Sequence, residues 1–155
     1  NHIHACNYST EQGEQVLFYQ VVNGMPSGNP GTAVTNSVCG IWMFVYCWLR
    51  MTDNSELRQY HSIQSFYDNV YMCTYGDDVV ANISDMVISW FNQETLTIMM
   101  KDSFDIDFTD EEKTGTIVSH RKLDEIRFLK RAFTFNEYLQ IYIAPLPEDV
   151  ILDIT

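Results

Sequence analysis

Val70-Tyr71-Met72-Cys73-Thr74-Tyr75-Gly76-Asp77-Asp78-Val79-Val80-Ala81-Asn82-Ile83 is the stretch on which the reading of this chain turns. Two β-like apolar runs, Val70 to Thr74 and Val79 to Ile83, meet across Tyr75-Gly76-Asp77-Asp78. A Gly-Asp step between such runs reads as a tight hairpin, because Gly, Asp and Asn tolerate the positive φ that these turns demand. Two adjacent carboxylates then stand at the tip of a stiff ribbon. Carboxylates fixed in this way suit Mg2+, a hard cation that takes oxygen ligands and keeps several waters or substrate phosphates. Taken alone, Gly-Asp-Asp is more often only a solvated turn, so the rest of the chain has to decide.

Upstream, residues 24–37 read Gly-Met-Pro-Ser-Gly-Asn-Pro-Gly-Thr-Ala-Val-Thr-Asn-Ser. Ser27-Gly28, Thr32 and Asn36 fit the pattern S-G-x(3)-T-x(3)-N. This pattern resembles motif B of viral RNA-dependent RNA polymerases, and Tyr75-Gly76-Asp77-Asp78 resembles their motif C. Downstream, Phe108-Thr109-Asp110-Glu111-Glu112-Lys113 is similar to motif D of the picornavirus-like group, and Phe128-Leu129-Lys130-Arg131 to its motif E. The four occur in the family's order, and the ordered set is far more specific than any member. The resemblance runs from about Gly24 to the end of the chain.

The resemblance implies an α+β fold, a polymerase palm in which a small antiparallel sheet carrying motif C packs on helices. Residues 1–144 would be a partial palm core and residues 145–155 the start of a thumb. The implied activity is RNA-directed RNA synthesis: nucleotidyl transfer to an RNA 3′-hydroxyl at a site of two Mg2+ (or Mn2+) ions. Asp77 would be the direct metal ligand. Asp78 is auxiliary or a structural turn residue, because neighbours in a regular strand face opposite ways unless the turn redirects one. Asn36, helped by Thr32, would read the ribose 2′-hydroxyl, since an amide both donates and accepts. Its plain alternative is an amide satisfying buried backbone groups. Ser27 and Gly28 would lie on a loop that contacts nucleic acid. Lys113 would protonate the pyrophosphate leaving group, against the plain reading of a surface lysine after an acidic run. Lys130 and Arg131 would grip the nascent strand by its phosphates, with Phe128 and Leu129 packing that hairpin on the core. Implied partners are template and nascent RNA, ribonucleoside triphosphates and other parts of a viral polyprotein. The implied location is host cytoplasm, in membrane-associated replication complexes.

Composition sets the outer limits. The 155 residues, 46% of them hydrophobic, suffice for one domain with a core and exclude a disordered chain. The net charge of −12 is unusual for a nucleic-acid binder. Yet six of the nine Lys and Arg residues fall between Lys113 and Arg131, just after the acids Asp102, Asp105, Asp107, Asp110, Glu111 and Glu112. Cys6, Cys39, Cys47 and Cys73 are widely spaced, which argues against a disulfide framework. His2, His4 and Cys6 alternate, as three ligands on one strand face would, but without an evident fourth. Val38 to Leu49 is apolar and uncharged, short for a membrane span, and is read as part of a buried core helix.

Along the chain, residues 1–8 and 15–22 read as extended, with a turn at Glu11 to Glu14. Gly24 to Gly31 is a loop. A helix is predicted from Thr32 to Met51, with Val34, Val38, Ile41, Trp42, Val45 and Leu49 as its core stripe. Residues 55–67 read as a short helix and connector. Asp85 to Met100 reads as a helix capped by Ser84, and Phe104 to Phe108 as a short strand. Ile126 to Leu129 and Tyr138 to Ile143 are predicted to pair as one hairpin around residues 131–137. Pro147 to Thr155 resembles the first turns of a helix.

Nothing in residues 1–23 supplies the D-x(4)-D of the family's motif A, where Glu11 and Glu14 are the only acids. With no initiator Met either, the chain is expected to be a piece of a longer protein and inactive alone. Two rival readings remain at this stage. Reverse transcriptases share the Tyr-x-Asp-Asp hairpin, although Ser27-Gly28, Thr32 and Asn36 speak against them. A non-catalytic palm remnant that binds RNA or protein is the other.

Overall fold

Thr32–Met51 forms one uninterrupted helix, α1. The computed structural model describes residues 2–10, 13–21, 30–111, 113 and 115–152. Helix α1 starts where Pro30-Gly31 ends, its first turn closed by Thr35 N–H donating to Gly31 O at 2.9 Å. It stops at Thr52, whose N–H and hydroxyl both bond to Trp48 O, at 3.0 and 2.8 Å. The Thr52 hydroxyl also reaches Leu49 O at 3.3 Å, which gives a carbonyl of the last turn a partner.

Ahead of α1, strands β1 (His2–Thr10) and β2 (Gly13–Val21) pair antiparallel, Thr10 opposite Gly13 and His2 opposite Val21. This matches the two extended segments predicted. The turn proposed at Glu11 to Glu14 falls partly outside the described residues, and so do the side chains of His2, His4 and Cys6.

After α1, a 3-10 turn at Arg58–Tyr60 leads to α2 (Ile63–Asn69). Ser62 caps α2, its hydroxyl accepting from Ser65 N–H at 3.0 Å. Helix α2 runs straight into β3 (Val70–Tyr75), which pairs antiparallel with β4 (Asp78–Ile83). The open end of this hairpin is closed by Ser84 N–H donating to Asn69 O at 2.9 Å. One face of the ribbon, Val70, Met72 and Thr74 with Val79, Ala81 and Ile83, is buried or half-buried, while Tyr71, Cys73 and Tyr75 are exposed. An isolated two-stranded ribbon is marginal in water, and here α1 backs it, packing on β3.

The core gathers around Trp48, fully buried together with Cys47, Phe66, Val87 and Phe91. Its ring meets Phe66 edge-on at 5.7 Å and Phe91 at 5.1 Å, and Trp90 lies tilted at 4.8 Å. Its indole N–H donates to Tyr60 O at 2.8 Å, so the burial leaves no donor unpaired. Each such edge-to-face pair adds about 0.5–1.5 kcal/mol to the burial itself. By length and composition alone α1 could cross a membrane; its second half instead lies inside this aromatic cluster, as a core helix does.

Four expectations are corrected. First, the core stripe of α1 is displaced. Val45 is buried, and Ile41 and Leu49 pack against the core, but Val34 and Trp42 are 68% and 63% exposed and Val38 is exposed too. Phe44, Cys47 and Trp48 are buried in their place. The helix is apolar on more than one side, so periodicity alone selected the wrong edge of a wide stripe.

Second, α3 spans Gln93–Phe104, and residues 85–90 form turns ahead of it. Asn92 is the cap, accepting from Thr95 N–H at 3.1 Å while Thr95 Oγ1 accepts from Asn92 N–H at 3.0 Å. Ser84 caps only the local turn, accepting from Met86 N–H at 3.3 Å.

Third, no strand forms at Phe104 to Phe108. Asp105 ends α3 in the left-handed region at φ 55°, and Phe108 O is taken by the Thr97 hydroxyl at 3.1 Å rather than by a partner strand.

Fourth, the single distal hairpin resolves into two. Strand β5 (Arg127–Phe128) pairs with β6 (Arg131–Ala132), and β7 (Thr134–Asn136) with β8 (Ile141–Ile143). A short helix α4, Glu148–Leu152, follows. Mixed helices and small antiparallel sheets make the fold α+β, as expected.

Candidate functional site

The tip of the β3–β4 hairpin is a two-residue turn. Tyr75 and Asp78 are paired, leaving Gly76 and Asp77 as the connection. Gly76 has φ 66°, whereas Asp77 is not among the residues with positive φ. Gly first and a negative φ second fits a type II′ turn, whose twist matches that of the strands it joins. The two acids therefore have different backbones. Asp77 belongs to the turn itself. Asp78 opens β4 directly opposite Tyr75, so those two share one face of the ribbon. Both acids are exposed, and neither is ion-paired among the described residues.

Helix α1 reaches this tip through Ser37. The Ser37 hydroxyl accepts from Gly76 N–H at 2.8 Å and donates to Ala33 O, one turn back, also at 2.8 Å. Thr32 and Asn36 lie on the same two turns of α1, both half-buried. The structure thus brings the Thr32/Asn36 end of α1 to the Gly76-Asp77 turn. Ser27 and Gly28 lie outside the described residues. Ser37 had no role in the sequence reading. The signal available was a serine inside the helix, a residue type that is tolerated there when its hydroxyl bonds back to the carbonyl one turn earlier.

The segment between α3 and β5 is held by charge pairs. Lys101 reaches Asp105 at 2.8 Å and Asp107 at 3.0 Å, and these contacts raise its pKa above the usual lysine value. Arg121 reaches the buried Asp110 at 3.5 Å and Glu111 at 3.0 Å. Glu111 also accepts from Arg127 N–H at 3.3 Å, tying the acidic run to β5. Lys113 follows in a turn, at φ 52° with its N–H donating to Asp110 O at 3.1 Å, and is exposed. Among the described residues no ion pair or hydrogen bond joins its side chain to Asp77 or Asp78.

Phe128-Leu129-Lys130-Arg131 is itself a complete tight hairpin. Phe128 pairs with Arg131, and both turn residues are left-handed, Leu129 at φ 53° and Lys130 at φ 64°. That is the geometry of a type I′ turn, normally given to Asn-Gly. It places Lys130 at an exposed tip, and strand β5 runs beside β4. Phe128 is half-buried as expected, but Leu129 is exposed, because the turn and not the core fixes its direction. Arg131 donates to Ala144 O at 2.7 Å, so this cation also fastens the following hairpin.

Chemically, the hairpin tip offers two adjacent exposed carboxylates, with the Asn36 amide and the Thr32 hydroxyl on the neighbouring helix. Oxygen donors alone suit a hard divalent cation. Among the described residues no group of three or more His, Cys, Asp or Glu gathers there, so Asp77 and Asp78 form an incomplete donor set.

Comparison with known proteins bears on this arrangement. The profile of the family described as viral RNA-dependent RNA polymerase matches residues 10–155. The replicase polyprotein of Cricket paralysis virus is 39% identical over 135 residues, covering 87% of this chain and 8% of the polyprotein. The same figures hold for the replicase polyprotein of Drosophila C virus. That of Acute bee paralysis virus is 32% identical over 159 residues, 99% of this chain and 8% of the polyprotein. The chain thus spans under a tenth of the length of these relatives.

Proposed function

The chain belongs to the viral RNA-dependent RNA polymerase family, and we propose that it is the palm core of an RNA-directed RNA polymerase released from, or acting within, a viral polyprotein. The observation that carries this reading is the Ser37–Gly76 contact, which sets the Thr32/Asn36 end of α1 against the Asp77-bearing turn. Residues 145–155, where α4 begins, would open the thumb. The work would take place in host cytoplasm, in replication complexes on membranes.

Asp77, fixed by the turn, is the metal-binding carboxylate, and Asp78 beside it is the auxiliary one. A Mg2+ or Mn2+ pair at such a site supplies charge neutralisation for the attacking and leaving oxygens. A third carboxylate has to come from outside residues 1–23, which contain no D-x(4)-D. Asn36 selects a ribose by bonding its 2′-hydroxyl, with Thr32 supporting it. Ser27 and Gly28 contact the template or nascent strand. Lys113, exposed after the acidic run, delivers a proton to pyrophosphate. Lys130, at the tip of the β5–β6 hairpin, holds a phosphate of the nascent RNA, and Arg131 stiffens that hairpin through Ala144. With a net charge of −12, this segment is expected to leave most phosphate binding to other parts of the polyprotein.

Incubating the complete polymerase with a primed RNA template and either ribo- or deoxyribonucleotides tests the reading. Extension with ribonucleotides is expected. Extension only with deoxyribonucleotides would make it a reverse transcriptase, and RNA binding without extension a non-catalytic remnant.

A further inference from the structure

In a two-residue hairpin turn the N–H of the first turn residue has no partner within the turn. At Gly76 that N–H instead donates to the Ser37 hydroxyl, 39 residues away in sequence. The contact is half-buried, and the Ser37 hydroxyl donates its own hydrogen bond to Ala33 O. A hydroxyl is suited to this place because it accepts from one side and donates to the other. Alanine would leave the Gly76 N–H without its acceptor. Threonine would keep both bonds, since its hydroxyl also reaches the carbonyl one turn back in a helix. Among the described residues, no other hydrogen bond reaches the Gly76-Asp77 turn from outside the ribbon. The peptide whose N–H is held is the one leading into Gly76, so its orientation and that of Asp77 are set together.

We propose that Ser37 is a positioning residue: it fixes the Gly76-Asp77 turn against α1 and thereby aims the Asp77 carboxylate. This rests on the polymerase reading only for its effect on turnover; its effect on the turn stands apart from that reading. The contact also ties the turn to the residue next to Asn36, so the sugar-reading end of α1 and the carboxylate-bearing turn move as one body.

The test uses the complete polymerase as wild type, Ser37→Ala, Ser37→Cys and Ser37→Thr. Hydrogen–deuterium exchange of the peptide containing Gly76, the Mn2+ dissociation constant by electron paramagnetic resonance, and kcat with KM for ribonucleotides are measured on each. Ser37→Ala is expected to speed exchange at Gly76, weaken Mn2+ binding and lower kcat by about tenfold, the scale of one lost hydrogen bond. KM for the nucleotide should stay within about twofold, as for an interaction that matters to the reacting centre. Ser37→Thr should restore all three, and Ser37→Cys, a weak acceptor of similar size, should fall between; this variant also carries the test if the alanine protein does not fold. Exchange at Gly76 unchanged in the alanine and cysteine proteins would overturn the proposal, and so would faster exchange with Mn2+ affinity and kcat intact. A wild-type enzyme inactive on RNA would instead count against the polymerase reading, while the exchange and Mn2+ measurements still decide the role of Ser37.

Discussion

Gly76 N–H and the Ser37 hydroxyl meet at 2.8 Å, and the chain neighbours of this bond are the two residues proposed to read the sugar and to bind metal. Asn36 precedes Ser37 and Asp77 follows Gly76. A single contact thus brings together a helix that would read the sugar and a turn that would hold metal.

Asn36→Ala in the complete polymerase should loosen sugar selection. One hydrogen bond to the 2′-hydroxyl corresponds to about tenfold in discrimination. The ratio of kcat/KM for a ribonucleotide to that for its deoxy analogue measures it, and an unchanged ratio would remove Asn36 from sugar recognition.

The Leu129-Lys130 turn separates stability from RNA holding. Both residues sit at positive φ, where each costs on the order of 1 kcal/mol or more. Leu129→Asn should therefore raise the melting temperature slightly and leave RNA affinity alone. Lys130→Gly should stabilise the turn likewise, yet weaken RNA binding and lower the slope of log K against log salt by about one. Thermal melts and binding titrations at several salt concentrations read the two effects independently.

Thiol chemistry reports the packing of α1. Burial pushes the Cys47 thiol up to about 12, so at pH 8 only on the order of one molecule in ten thousand carries the reactive thiolate. Cys39 and Cys73 are exposed. Peptide mapping after iodoacetamide treatment at pH 8 should find both alkylated and Cys47 spared, with Cys47 joining them once denaturant is added. Because its pKa is raised, Cys47 carries a smaller thiolate fraction than an ordinary thiol at every pH below about 12 while the fold holds.

Local signals made the helix Thr32–Met51 and the ribbon around Gly76 legible in the sequence. Pro30-Gly31 marks a helix start, and a Gly-Asp step marks a turn. The distal region hid itself for a physical reason. Leu129 and Lys130 adopt left-handed backbones without the Gly or Asn that usually announces them, so the β5–β6 hairpin was invisible and its strands were paired too far apart. The start of α3 was missed because Val87, Trp90 and Phe91 extend its apolar spacing upstream, although Asn92 and Thr95 set the cap. Near the hairpin tip, Asn36, Asp77 and Asp78 stand out in the sequence by residue type, and Ser37 does not. Its role depends on a contact between residues 39 positions apart, and no local pattern encodes that.

The central claim is tested most directly by measuring RNA-templated ribonucleotide incorporation by the complete polymerase beside its Asp77→Ala variant. Asp77 is exposed, so the substitution should leave the melting temperature within about 1 °C, since surface changes of this kind rarely exceed ~0.5 kcal/mol. Loss of a metal-binding carboxylate should lower incorporation by about a thousandfold or more, several kcal/mol of transition-state stabilisation. A variant that still extends the primer at a rate near that of the wild type would contradict the account of this turn as the metal-binding centre of the polymerase.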